Sequence, residues 1–219
     1  MLPNFFFEKK LWRKGYRVIA GVDEVGRGSF AGPVVAAAVA FRQTLNSKFE
    51  IPNNFKINDS KRLSPKQRKT ADRWIRKNAM AFGIGEASVG QINRLGIKKA
   101  TEIAFRKAIS KVKPDYLLID AFFIPYVRGL RRKNQKAIIK GDTKSISIAA
   151  ASIVAKVYRD KLMEKLGSVR KFKKYGWAQN KGYGTKKHQK AIKKYGSTKL
   201  NRKLYVESWL RNSSSSQSQ

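Results

Sequence analysis

Short apolar runs, punctuated by glycines and by basic polar stretches, set the frame of this 219-residue chain. Residues 17–22 form the first run and read as a strand that ends in the pair Asp23-Glu24. A glycine-rich turn over residues 26–33 leads to a second strand at 34–41. A polar stretch carrying Pro52 and two asparagines then predicts a loop up to Asp59. Ser64 before Pro65 has the form of a helix N-cap with proline in the first helical position, and predicts a helix to about Asn78. Residues 82–89 read as a third strand. Ile92, Leu95, Ile103, Ala104 and Ile109 fall at helical spacing over residues 91–111, and Pro114 closes that helix. Further strands are predicted at 116–119 and 135–139. Residues 147–166 read as a strong helix, with Ala151, Ala155, Tyr158, Leu162 and Leu166 on one face and Gly167 as its stop. Beyond it come a basic, aromatic loop (170–184), a helix from Thr185 to Tyr195, and a last segment (204–210) of helical character.

Neighbouring strands first, and strands alternating with helices afterwards, predict an α/β fold: a mixed five-stranded sheet with helices on both faces and a C-terminal helical extension. The expected organisation is a single domain over residues 1–211, with the extension starting at about 168. The Ser/Gln tail at 212–219 is expected to be disordered.

Charge changes the picture. Lys and Arg number 49 against 14 Asp and Glu, a formal charge of +35, and such an excess points to a polyanionic partner, nucleic acid. No apolar run approaches the ~20 residues that span a bilayer, so a membrane partner is not expected. The first residues lack the long apolar core of a secretory signal, which makes the cytoplasm the default location. There is no cysteine, and His188 is the one histidine. A metal site therefore has to be built from oxygen ligands, which suits Mg²⁺ or Mn²⁺.

In a chain so poor in acids, four of them sit where apolar runs end: Asp23, Glu24, Asp120 and Asp142. Taken singly, each could cap a helix or meet a lysine. Together they predict carboxylates from several strand or helix ends, able to hold two divalent ions ~3.5–4 Å apart for in-line phosphoryl displacement. Side chains alternate along a strand, so Asp23 and Glu24 cannot both reach one site from a regular segment. Either the strand ends at this pair, or one residue contributes its backbone carbonyl. Asp59 reads as a turn residue, and Asp72, Glu102 and Glu164 as helix-surface charges.

Several blocks closely resemble the ribonuclease HII family. They are AGVDEVGRGSFAGPVVAAAV (20–39), DSKRL (59–63), LID (118–120), KGD (140–142), IAAASIVAKVYRD (148–160) and KGYGT (181–185), in the family's order. The resemblance implies a ribonuclease H-like fold and a metal-dependent endonuclease. Such enzymes cut the RNA strand of RNA–DNA hybrids and nick DNA 5′ to an embedded ribonucleotide, leaving 3′-hydroxyl and 5′-phosphate ends. It gives Asp23, Glu24, Asp120 and Asp142 the metal-binding catalytic roles. Gly26, Arg27 and Gly28 match the turn that senses the ribonucleotide, where missing side chains let backbone approach a 2′-hydroxyl. Tyr183 matches the tyrosine that packs on that sugar. Lys61, Ser145, Lys156 and Lys181 are candidate phosphate contacts. The partners implied are RNA–DNA hybrid and ribonucleotide-containing DNA duplex, with the protein a monomer and no sliding-clamp motif evident. Two other readings remain: a non-catalytic nucleic-acid-binding protein, and another nuclease of the same fold that cuts all-DNA duplex.

Overall fold

In the computed structural model, which describes residues 2–43 and 57–215, five strands form one sheet. They are Ile19–Val25 (β1), Val34–Ala40 (β2), Ala81–Ala87 (β3), Tyr116–Asp120 (β4) and Gln135–Ile138 (β5), in the order β3-β2-β1-β4-β5. β1 runs antiparallel to β2 and parallel to β4, and β4 runs parallel to β5, so the sheet is mixed as expected. Every residue of β2 is buried, which explains its unbroken run of valine and alanine: neither of its faces meets water.

The helices among the described residues are Phe6–Trp12 (α1), Pro65–Asn78 (α2), Val89–Val112 (α3), Ile146–Ser168 (α4), Trp177–Asn180 (α5), Lys186–Tyr195 (α6) and Lys203–Ser215 (α7). Ser64 and Gln67 form a capping box at the start of α2, with Pro65 first in the helix, as the sequence predicts. A second such pair corrects a boundary. Residues 82–89 read as strand, but Ser88 and Gln91 exchange side-chain-to-amide bonds of 3.0 and 3.2 Å and start α3 at Val89. Gly96, at φ 78°, breaks α3 internally. α7 likewise runs on to Ser215, so residues 212–215, expected to be disordered, are helical. The remainder of that tail, and most of the loop read between residues 42 and 58, lie outside the described residues.

The chain divides into two compact units. One comprises Met1–Val25, Val35–Glu86 and Thr101–Val157; the other Gly26–Val34, Ala87–Ala100 and Tyr158–Gln219. The first holds the sheet. On the face that carries Ile19 and Leu118, α1 supplies Leu11 and Trp12 and α4 supplies Ile148. Gly21 lies under the start of α4 so closely that a Cβ there would fall 2.1 Å from the Ser147 carbonyl carbon. The second unit has its own core, in which Phe172, Tyr175, Trp177, Ile192 and Val206 surround Met163 and Ala31.

Candidate active site

Strand alternation decides which acids share a face. Ile19, Gly21 and Asp23 point to the α4 side of β1, and Leu118 and Asp120 do so on β4. The parallel register runs from Ile19↔Tyr116 to Val22↔Ile119, and one further step sets Asp23 beside Asp120. Asp142 lies in the 3₁₀ turn Gly141–Thr143 just before α4. Asp120 Oδ1 accepts the Gly141 amide at 2.8 Å and ties that turn to the end of β4. Asp23, Asp120 and Asp142 thus come to one end of one sheet face, within the first unit.

These carboxyls feel one another. Burial pushes the Asp23 carboxyl well above the ordinary carboxylate range, and the charges of Glu24 and Asp120 raise it further. Bonds from Ser152 and from the Glu24 amide, the latter at 2.7 Å, oppose the rise. Asp142 is also raised, by burial and then by the charges of Asp59 and Asp120, with Lys61 acting the other way. Buried like charges on a chain of +35 form the donor chemistry that a hard divalent cation neutralises. Among the described residues no three or more His, Asp or Glu side chains are gathered into a ready cation cage. Asp23 and Asp120 instead spend oxygens on amides and on a hydroxyl.

Glu24 stands apart. β1 stays regular through Val25, pairing Asp23 with Ala37 and Glu24 with Ala36 across to β2, so the irregular strand end is not found. The Glu24 side chain therefore leaves from the opposite face. Asp59, read from the sequence as a turn residue, enters here, together with Ser60 and Ser152. Asp59 accepts the Lys61 amide at 2.9 Å, the turn role expected of it, yet its charge also acts on Asp142. Ser60 and Ser152 share a hydrogen bond of 3.0 Å, which links the 59–63 block to the serine that supports Asp23.

The second unit brings the glycine-rich turn and Tyr183 together. Ser29 and Tyr183 form a β-bridge, and the Phe30 and Ala31 amides both donate to the Gly182 carbonyl, at 2.8 and 3.0 Å. Two fully buried arginines hold this arrangement. Arg159 donates to the carbonyls of Pro33 (3.0 Å), Lys181 (2.9 Å) and Ala31 (3.1 Å), and its guanidinium lies 5.5 Å from the centre of the Tyr183 ring. Arg202 donates to the carbonyls of Gly32 (3.0 Å) and Arg27 (2.7 Å). Burial, and then the charge of Arg159, lowers Arg202 to about 10, which leaves it cationic at neutral pH. His188 completes the support: Nε2 accepts from Trp177 Nε1 at 3.0 Å while Nδ1 lies 2.9 Å from the Tyr183 carbonyl. A neutral ring protonated on Nδ1 satisfies both contacts.

The phosphate candidates separate. Lys61 is exposed and Lys156 half-buried. Lys181 pairs with Glu164 at 2.7 Å and also contacts the Ala178 carbonyl. Ser145 is a correction: it is fully buried and its hydroxyl donates to Glu8 Oε1 at 2.6 Å, so it anchors α1 rather than facing a phosphate. Asp72, read as a surface charge, is buried and paired with Arg76 at 2.9 Å.

The ribonuclease HII family model matches residues 20–211. The chain belongs to the ribonuclease HII family. Members of this family are metal-dependent endonucleases that degrade RNA in RNA–DNA hybrids, and this chain is one of them. The ribonuclease HII of Caldanaerobacter subterraneus subsp. tengcongensis is 46% identical over 208 residues, covering 94% of this chain and 81% of that protein. Among solved structures, the ribonuclease HII of Archaeoglobus fulgidus in its complex with PCNA superposes with a TM-score of 0.65 at 26% identity, covering 84% of this chain and 93% of that one. Bst ribonuclease HIII in complex with Mn²⁺ shares the fold, with a TM-score of 0.68 at 21% identity over 89% of this chain and 70% of that one. No described helix of this ribonuclease HII is long and apolar enough to cross a membrane.

The arginines, His188 and Glu8 escaped the sequence reading because their partners are carbonyl oxygens, amides and hydroxyls, groups with no signature in a sequence. The one available hint was Arg159 itself, an arginine inside the apolar α4 and within a family block.

Proposed function

We propose that this ribonuclease HII nicks DNA duplex on the 5′ side of an embedded ribonucleotide as well as cutting the RNA strand of hybrids, using Asp23, Asp120 and Asp142 as carboxylate ligands and Glu24 through its backbone carbonyl. The observation that carries this reading is the gathering of Asp23, Asp120 and Asp142 at one sheet end, tied by the Gly141 amide on Asp120: Glu24 and Asp120 press on Asp23, Asp59 and Asp120 press on Asp142, and a cation resolves that repulsion. Bound there, Mg²⁺ or Mn²⁺, as one or two ions, would polarise the scissile phosphate and activate water. The protein's own part is to hold the acids. Gly141 fixes the Asp120 carboxylate and Ser152 fixes that of Asp23, each through one hydrogen bond. The turn at Gly26, Arg27 and Gly28, with Tyr183, selects the ribose, and Lys61, Lys156 and Lys181 contact the phosphate backbone. We assign the protein to the cytoplasm as a monomer.

The test is a DNA duplex holding one ribonucleotide, incubated with protein and Mg²⁺ or Mn²⁺. Wild type should nick it once and leave a matched all-DNA duplex intact. Asp120→Asn should lose cleavage by at least about 10³-fold, on the scale of removing a group that stabilises transition-state charge. Its affinity for the duplex should be unchanged or tighter, since a repulsive charge is gone. Retained turnover in that variant excludes Asp120 as a ligand, and equal cutting of all-DNA duplex excludes ribose selection.

A further inference from the structure

The residues ahead of the family match build a cavity beside the catalytic turn. It has a volume of about 530 Å³ and is lined by Leu2, Phe6 and Phe7 from the N-terminal segment and by Arg62, Lys140 and Lys144 from the sheet side. None of the described residues lining it is acidic. Lys140 and Lys144 stand two residues to either side of Asp142, and Arg62 follows Lys61, whose charge acts on Asp142.

The N-terminal segment is fixed in this position. Asn4 forms a β-bridge with Ser145: its amide donates to the Lys144 carbonyl and its carbonyl accepts the Ile146 amide, each at 3.2 Å. One turn into α1, the buried Glu8 carboxylate accepts from the Ser145 hydroxyl (2.6 Å) and from the Ser147 amide (3.0 Å). Burying an acid among so many bases, without a cationic partner in either bond, is costly. Its effect is to clamp α1, whose Phe6 and Phe7 line the cavity, onto the start of α4, directly after the Lys140–Lys144 turn that lines it from the other side. Phe6 is nonetheless 61% exposed, though its neighbours Phe5 and Phe7 are partly buried. Its ring packs edge-on against Phe7 at 5.3 Å. A segment anchored at such cost that then presents an aromatic ring to solvent in a cavity shared with three cations has the two parts of a nucleotide site: a stacking surface and a phosphate cradle.

We propose that this cavity is a subsite for one unpaired nucleotide of the substrate, its phosphate held by Arg62, Lys140 and Lys144 and its base stacked on Phe6. A base inside a duplex is stacked on its neighbours and offers no free face, so the occupant comes from a single-stranded extension flanking the hybrid. The subsite rests on the nuclease reading above for the identity of its ligand as nucleic acid. It adds a preference for hybrids that continue into single strand.

The experiment uses the full chain without metal, so that nothing is cut. Three ligands are compared by fluorescence anisotropy: a blunt RNA–DNA hybrid, and the same hybrid with a six-thymidine extension on the 3′ end of one strand or of the other. A 2-aminopurine replaces the first extension base. At least one extension should tighten binding about tenfold, the scale of one base–aromatic stack, and its 2-aminopurine should be quenched on binding. Phe6→Ala should bring the extended-to-blunt affinity ratio back to about one and abolish the quenching. Lys144→Glu should reduce the ratio with the stack still in place. Equal affinity for blunt and extended hybrids in wild type overturns the proposal, as does quenching that survives in Phe6→Ala. Cleavage of the blunt hybrid by wild type, once metal is added, reports on the nuclease reading by itself: its failure would sink that reading without touching the binding ratio.

Discussion

Gly26 and Gly28 stand two residues apart in one turn and answer to different constraints. Gly26 sits at φ +87°, and a Cβ there would lie 2.1 Å from Arg159 Nε, so both backbone and packing demand glycine. Gly28 has no positive φ, and nothing approaches its missing Cβ within 4 Å. Folding alone gives no reason for glycine at that position, whereas close approach of a ligand does. Gly26→Ala should destabilise the fold by about 2 kcal/mol or more, from left-handed strain and a displaced guanidinium. Gly28→Ala should leave stability within about 1 kcal/mol, or raise it by restricting the unfolded chain. It should nevertheless slow nicking at an embedded ribonucleotide at least about tenfold, because a methyl group then stands where the sugar must come. Urea titrations and single-turnover cleavage of the two variants decide the matter. Full activity in Gly28→Ala would remove that glycine from ribose selection.

At the level of elements, the glycine-rich turn is held by a helix it does not follow in the chain. Arg159 comes from α4, and its three charge-assisted bonds end on carbonyls of Ala31, Pro33 and Lys181. A guanidinium can serve three divergent acceptors in its plane, and an ammonium of different reach cannot. Arg159→Lys should therefore cost about 3 kcal/mol in urea unfolding, at about 1.5–3 kcal/mol per lost bond to a charged group and with partial recovery of one. Cleavage at a single ribonucleotide should fall more than cleavage of a continuous RNA strand, since the turn proposed to recognise one sugar has lost its brace. Equal losses on both substrates would make Arg159 a stability residue only. β1, β2 and β4 were legible in the sequence because burial on both faces writes an apolar run, and the Ser64-Pro65 cap was legible because it is local. The arginine brace was not, since its partners are backbone. Neither was Ser145's burial, which depends on Glu8, a residue 137 positions away along the chain. Regular strand geometry, not composition, removed the Glu24 side chain from the face of Asp23.

For the whole molecule, a charge of +35 and the ribose contacts proposed for the glycine-rich turn and Tyr183 should divide binding into two parts that respond differently to salt. Lysines and arginines on phosphates release counterions, and this part of the free energy weakens linearly with the logarithm of salt concentration. Contacts between backbone amides, a tyrosine ring and a ribose release none, so salt leaves them nearly untouched. Affinity for DNA duplex, measured without metal, should drop at least about 10³-fold between 50 and 200 mM salt, a logarithmic slope of about −5 or steeper. The ratio of affinities for a duplex with one ribonucleotide and for its all-DNA counterpart should stay constant within about twofold over the same range. Anisotropy titrations at four salt concentrations give both quantities from the same samples. A shallow slope would mean that most of the 49 basic residues face solvent rather than nucleic acid. A ratio that collapses together with affinity would mean that charge, with Arg27 the nearest candidate, carries the discrimination here assigned to Gly28 and Tyr183.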